Sequence, residues 1–213
     1  NRIVVLRDGN AVAELKTPDT SHAEVIRHMV GRPLKEGTHQ KQNFTGPSVF
    51  EVEGLSHVGE SGKTVLEGIS FHVRRGEVLG IAGLMGSGRS ELLRSILGIL
   101  PGNRKGQLKL EGRAVNWLSI QEAMREGAGF VPEDRKKDGV FLDHGVDFNL
   151  TISILSELLK GPGIDLQAEQ VRAAELAREM NVKYANPKLP IRNLSGGNQQ
   201  KVLLAKVVAC KPK

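Results

Sequence analysis

Apolar and polar positions change period several times along this chain, and each change predicts an element. Arg2 to Leu15 alternates on either side of Asp8-Gly9, the pattern of a two-stranded hairpin. From Ser21 to Val30 the apolar residues Ala23, Val25, Ile26, Met29 and Val30 recur at helical spacing, between a capping serine and Gly31 as a stop. Arg32 to Pro47 then trades apolar residues for Gly, Pro, Gln and Lys, which predicts a linker, with an ordered surface loop as the alternative. Val49 to Glu53 and Val65 to Val73 alternate again and predict antiparallel strands leading into a core.

Val78, Leu79, Ile81 and Ala82 make a short apolar run that predicts a buried parallel strand, and Glu91 to Leu97 continues with helical periodicity. Gln107 to Leu110 reads as a strand, Ser119 as the cap of a short helix reaching Glu126, and Gly127 to Pro132 as a second buried strand. Glu133 to Gly139 is a dense charged loop, which at a strand end is either a ligand site or a solvated turn. Asp147 is predicted to cap a helix over Phe148 to Lys160 that Gly161-Pro162-Gly163 ends. Leu166 to Met180 follows as an amphipathic helix, and Val202 to Ala209 as another. The sum is an α/β fold with a helical subdomain inserted into the sheet domain.

Composition narrows the classes. The 213 residues suffice for one large or two small domains, and no apolar run approaches the roughly 20 residues that span a bilayer. No signal peptide is visible, and one cysteine, Cys210, offers neither a disulfide nor a zinc set, so a soluble chain in a reducing compartment is expected. The net charge of +6 raises a nucleic-acid hypothesis. Basic residues are spread along the chain, aromatics are 4%, and no stacking platform or helix-turn-helix is apparent, so no nucleic-acid partner is expected. The six histidines show no metal-ligand spacing.

One stretch organises the chemistry. Gly83-Leu84-Met85-Gly86-Ser87-Gly88-Arg89-Ser90 matches the phosphate-loop spacing G-x-x-x-x-G-K-[ST] at every fixed position except Arg89, and it lies between the apolar run and the helical one. Gly83, Gly86 and Gly88 permit tight turns, so amides from about Gly86 to Ser90 can converge on phosphate oxygens at a helix start. Ser90 would offer its hydroxyl to magnesium. Arg89 keeps the charge but replaces a compact ammonium by a planar fork, which predicts nucleotide binding with weak or absent hydrolysis. A glycine-rich turn in an unrelated α/β protein is the alternative. The GKT of Gly62-Lys63-Thr64 is rejected as a second phosphate loop, because strand-like residues follow it and a phosphate loop must open a helix; a hairpin turn is expected there.

Leu194-Ser195-Gly196-Gly197-Asn198-Gln199-Gln200-Lys201 precedes the last helix. Ser195, the Gly196 and Gly197 amides and a helix starting near Asn198 together describe a second anion site, or simply a helix cap. With GLMGSGRSEL at Gly83 to Leu92 and VPEDRKKDG at Val131 to Gly139, this stretch resembles the ATP-binding subunits of ABC transporters, over most of residues 48–213. The match looks like the second ATP-binding half of bacterial sugar importers of the ribose, galactose, arabinose and xylose type.

The resemblance implies a P-loop NTPase (ABC ATPase) core with an antiparallel β subdomain and a helical subdomain at about 147–195. Residues 1–32 would be the C-terminal tail of a first ATP-binding domain, 33–47 a linker, and 48–213 a partial second domain that stops before the Walker B strand. It implies ATP and Mg2+ at Gly83, Gly86, Ser87, Gly88, Arg89, Ser90 and Glu133, with Ser90 on the metal. Ser195, Gly196, Gly197 and Gln199 would act in trans on nucleotide held by another domain. Glu133 stands where a glutamine is usual, which with Arg89 makes this site look degenerate. The adenine-stacking aromatic would fall near His57 or Val58, leaving His57 as the candidate. No catalytic residue is assigned, because the family's catalytic glutamate and switch histidine would follow Lys213. Expected partners are a first ATP-binding half or a second copy and the importer's transmembrane subunits, at the cytoplasmic face of the inner membrane. A non-hydrolysing regulatory or interaction piece is the competing reading, and the sugar is not specified.

Overall fold

A computed structural model describes residues 1–7, 9–31 and 44–213, which fall into two compact units, 1–43 and 44–213. In the first, β1 (Arg2–Arg7) and β2 (Asn10–Lys16) pair antiparallel and are followed by α1 (His22–Val30). Ser21 caps α1 by accepting from the Glu24 amide, and Gly31 ends it at φ +75°, both as the pattern predicts. The hairpin's Asp8 and most of the linker expected at 33–47 lie outside the described residues.

The second unit opens with a four-stranded antiparallel sheet in the order β4-β3-β5-β6, formed by β3 (Ser48–Val58), β4 (Thr64–Arg74), β5 (Asn103–Leu110) and β6 (Arg113–Val115). The GKT stretch is the β3–β4 turn: the Gly59 amide donates to the Lys63 carbonyl at 2.9 Å and Gly62 sits at φ +78°. The inner face of the sheet packs Val52, Leu55, Leu66 and Leu108 against Leu92, Ile96 and Leu97, with Trp117 and Ala123 completing the core. Those three residues come from α2 (Arg89–Ile96) and its C-cap, so burying one stripe of α2 on the sheet is what fixes the loop ahead of it.

Arg104 of β5 holds the other end of α2. Its guanidinium donates to the carbonyls of Ser95 (2.6 Å), Ile96 (2.9 Å) and Trp117 (3.0 Å) and to Asn116 Oδ1 (2.6 Å). A cation on the last carbonyls complements the negative end of the helix. The short helix α3 (Ile120–Arg125) is capped by Ser119 as expected.

A separate core forms in the last third from α4 (Val146–Thr151), α5 (Leu166–Glu179) and α6 (Gly196–Ala209), with Leu150, Leu176, Ile191, Val202 and Leu203 all buried. The single helix expected over Phe148 to Lys160 is instead α4, a kinked 3-10 stretch to Leu158, and a small hairpin of β7 (Leu159–Lys160) and β8 (Gly163–Ile164). Asp147 is not its cap; Gly145 is, and buried Asp147 pairs with Lys188 while accepting from the Phe148 amide. β-branched Thr151 and Ile152 at the junction disfavour a long regular helix. The last helix begins at Gly196, two residues before the expected Asn198.

Two further expectations fail together. Neither Val78 to Ala82 nor Gly127 to Pro132 is a buried strand: both run outside any strand, and Val78 is 92% exposed. A parallel strand needs a hydrogen-bonding neighbour along its length, and the four sheet strands among the described residues pair only with one another. The two segments instead border an apolar cleft of about 550 Å3 lined by Phe50, Phe71, Leu79, Ile81, Trp117 and Phe130. No helix is long and apolar enough to cross a membrane among the described residues.

Candidate nucleotide site

The glycine loop takes its shape locally. Gly86 and Gly88 sit at φ +80° and +89°, a region that costs residues with a Cβ roughly 1–2 kcal/mol, and Gly88 is the N-cap of α2. A Cβ on Gly83 would collide with Ser87 Oγ, so a side chain at position 83 would have to displace that hydroxyl from the turn. The Ser87 amide is engaged by the Leu84 carbonyl at 3.1 Å, whereas those of Gly86 and Gly88 have no acceptor among the described residues. With the first-turn amides of α2, which cannot bond within the helix, they form a donor-rich end that suits an anion. Arg89 is exposed and makes no ion pair with any described residue.

Ser90 is half-buried on the first turn, and its hydroxyl donates to Glu133 Oε1 at 2.7 Å. That contact ties the loop to the charged segment. Asp134 caps a single π-type turn, Arg135–Gly139, by accepting from the Lys136 and Lys137 amides, and Asp138 pairs with Arg94 of α2 at 3.1 Å. Oxygen ligands from a hydroxyl and a carboxylate are the donor set a hard cation such as Mg2+ prefers, so Ser90 and Glu133 fit one chemically.

The second motif lies at the start of α6. Ser195 is the N-cap but makes no cap bond to the backbone; its Oγ accepts from Asn198 Nδ2 at 3.1 Å. Gly197 is open, and a Cβ at that position would have nothing within 4 Å, while a Cβ at Gly196 would meet Arg135. Gln199 is 6% exposed: its Nε2 donates to the carbonyls of Ile191 (3.3 Å) and Leu194 (3.0 Å), and its Oε1 accepts from Arg135 Nε at 3.3 Å. The side chain of Gln199 therefore braces the loop from within instead of facing solvent.

The charged segment touches both motifs, through Glu133 to Ser90 and through Arg135 to Gln199, and Lys206 of α6 also donates to the Gly139 carbonyl. Sequence spacing singles out none of Arg135, Arg94 or Arg104; the signal for Arg135 is its place in the charged segment 133–139.

His57, the candidate for adenine, is removed by the fold. It is 2% exposed, with Nδ1 2.9 Å from Ser95 Oγ and Nε2 3.1 Å from the Pro101 carbonyl, so no face is free to stack on a base. Its work is to join β3 to α2.

The ABC transporter family profile matches residues 66–213. The chain is 39% identical over 213 residues to the xylose import ATP-binding protein XylG of Brucella abortus, covering 99% of this chain and 42% of that protein. It is 39% identical to the ribose import ATP-binding protein RbsA of Bacillus licheniformis, covering all of this chain and 42% of that protein. The chain thus spans less than half the length of these relatives. Among solved structures, cbiO1 of Clostridium perfringens, part of the ABC transporter complex cbiONQ, superposes with a TM-score of 0.60 at 25% identity over 79% of this chain and 64% of its own. MJ1267, an ATP-binding cassette of an ABC transporter, gives 0.61 at 21% identity over 79% of this chain and 67% of its own. A glycine loop opening a helix, a Ser-Gly-Gly turn opening another and a profile match over both motifs lead to one conclusion: the chain belongs to the ABC transporter family.

Proposed function

We propose that this chain is part of the ATP-binding component of a bacterial sugar importer, and that residues 83–90 hold the phosphates of ATP. The observation that carries this reading is the loop itself: positive φ at Gly86 and Gly88, a bare Gly83, and Ser90 on the first turn of α2 beside Glu133. Arg89 supplies the positive charge, and Ser90 with Glu133 would hold Mg2+ in the bound state, where the ion would screen the Glu133 carboxylate from the phosphates. The names of the relatives at 39% identity support carbohydrate uptake as the process served.

In this proposal residues 1–32 are the tail of a first ATP-binding domain and 48–213 part of a second. Ser195, Gly196 and Gly197 contact nucleotide held by the first half or by another copy. The component sits on the cytoplasmic face of the inner membrane, against transmembrane subunits. With a guanidinium at 89 and a carboxylate at 133, this site binds nucleotide and contributes little hydrolysis of its own.

Equilibrium titration with a fluorescent ATP analogue and Mg2+ tests the loop. Arg89→Ala should weaken binding by about tenfold or more, and Arg89→Lys should retain it. Equal affinity in wild type and Arg89→Ala would remove residues 83–90 from the account.

A further inference from the structure

Arg135 is held in an electrostatically awkward place. Its Nε donates to Gln199 Oε1, and this bond turns the far end of the guanidinium toward the start of α6, where Nη2 would lie 2.9 Å from a Cβ on Gly196. The terminal nitrogens have no carboxylate or carbonyl acceptor among the described residues. The nearest acidic side chain in sequence, Asp134, is engaged with the Lys136 and Lys137 amides, and Asp138 with Arg94. A fixed cation at the positive end of a 14-residue helix is repelled by the helix, so the arrangement costs the protein stability when alone. An anion between the guanidinium and the Gly196 and Gly197 amides would reverse that sign, accepting charge-assisted hydrogen bonds from both.

We infer that Arg135 is a phosphate-contacting residue of the Ser195–Gly197 site, supplying from the charged segment a guanidinium that the motif itself lacks. The inference rests on the proposal that this turn receives a nucleotide phosphate. Gly196 then serves through the room it leaves for the guanidinium, because a Cβ there would lie 2.9 Å from Arg135 Nη2. Glu133 and Arg135, two residues apart, point the same short segment at both motifs.

The two ideas separate in one experiment. Titrate the chain with sodium triphosphate and follow backbone amides and the Arg135 Nε–H signal by 1H–15N NMR. Wild type should show the Gly196 and Gly197 amides and Arg135 Nε–H moving together. In Arg135→Ala the Gly196 and Gly197 shifts should need about tenfold more triphosphate, with Arg135→Lys in between, while shifts at Gly86 to Ser90 keep their midpoint. Gly196 and Gly197 titrating equally in wild type and Arg135→Ala would overturn the role of Arg135 and leave the anion site standing. No movement at Gly196 and Gly197 in wild type would overturn the anion site and this inference with it. Should Arg135→Ala lose its dispersed spectrum, Arg135→Gln, which keeps a long side chain with amide donors but not the charge, gives the same comparison.

Discussion

Ser90 donates its hydroxyl to the Glu133 carboxylate across 2.7 Å, joining the first turn of the loop helix to the segment that runs on toward α6. On the proposal that residues 83–90 hold the phosphates, the Glu133 carboxylate beside Ser90 repels nucleotide unless a cation stands between. Glu133→Gln keeps an acceptor for Ser90 and deletes the charge. It should tighten binding of ATP in the presence of EDTA by about fivefold, the effect of one like charge at about 4 Å in a water-like dielectric. Equal metal-free affinities in an equilibrium titration would show that Glu133 does not face the bound phosphates.

His57 lies between Ser95 and Pro101, so replacing it should act on stability and not on the nucleotide. His57→Leu strands a buried hydroxyl and a carbonyl, and roughly 2–4 kcal/mol should be lost in chemical denaturation. ATP affinity measured below the transition should stay within about twofold. A large loss of affinity in a folded variant would restore the ring to the base site.

Arg104 joins β5 to the C-terminal carbonyls of α2, and burial pushes its pKa down from the ordinary arginine value without discharging it. Arg104→Ala removes four charge-assisted hydrogen bonds and a cation at a helix C-terminus. A loss of about 2–3 kcal/mol is expected. Amide exchange should then rise first over residues 92–97. Unchanged exchange there would mean that α2 is held by its apolar stripe alone.

Asp165 caps α5 through the Gln167 and Ala168 amides, and the Ala168 amide, followed by Lys160, holds its carboxyl below the usual aspartate range. A depressed folded pKa means that the stabilisation is fully present above the unfolded value of 3.8 and is lost as pH falls through the folded one. Asp165→Ala should therefore melt below wild type at neutral pH, and the gap should close as the solution is acidified below that value. A gap independent of pH would assign the effect to packing.

The contrast between what was legible and what was not follows the range of the interactions. Ser21, Ser119 and Gly31 act within three or four residues, so their caps could be read from spacing. The glycine loop is equally local: Gly86 and Gly88 need positive φ whatever surrounds them. Asp147 misled because its carboxylate found Lys188, 41 residues on, before it could cap a helix. Val78 to Ala82 misled because an apolar run states a preference for burial and cannot supply the neighbouring strand that burial requires.

By itself, then, the sequence determined the two glycine-rich turns and the helices they open, since glycine conformations, cap hydroxyls and helical periodicity are settled within one or two turns of chain. Only the tertiary structure decided that Glu133 meets Ser90, that Arg135 meets Gln199, and that His57 is buried. Each of those contacts joins elements distant along the chain, and which polar groups share a desolvated space depends on how whole apolar faces pack.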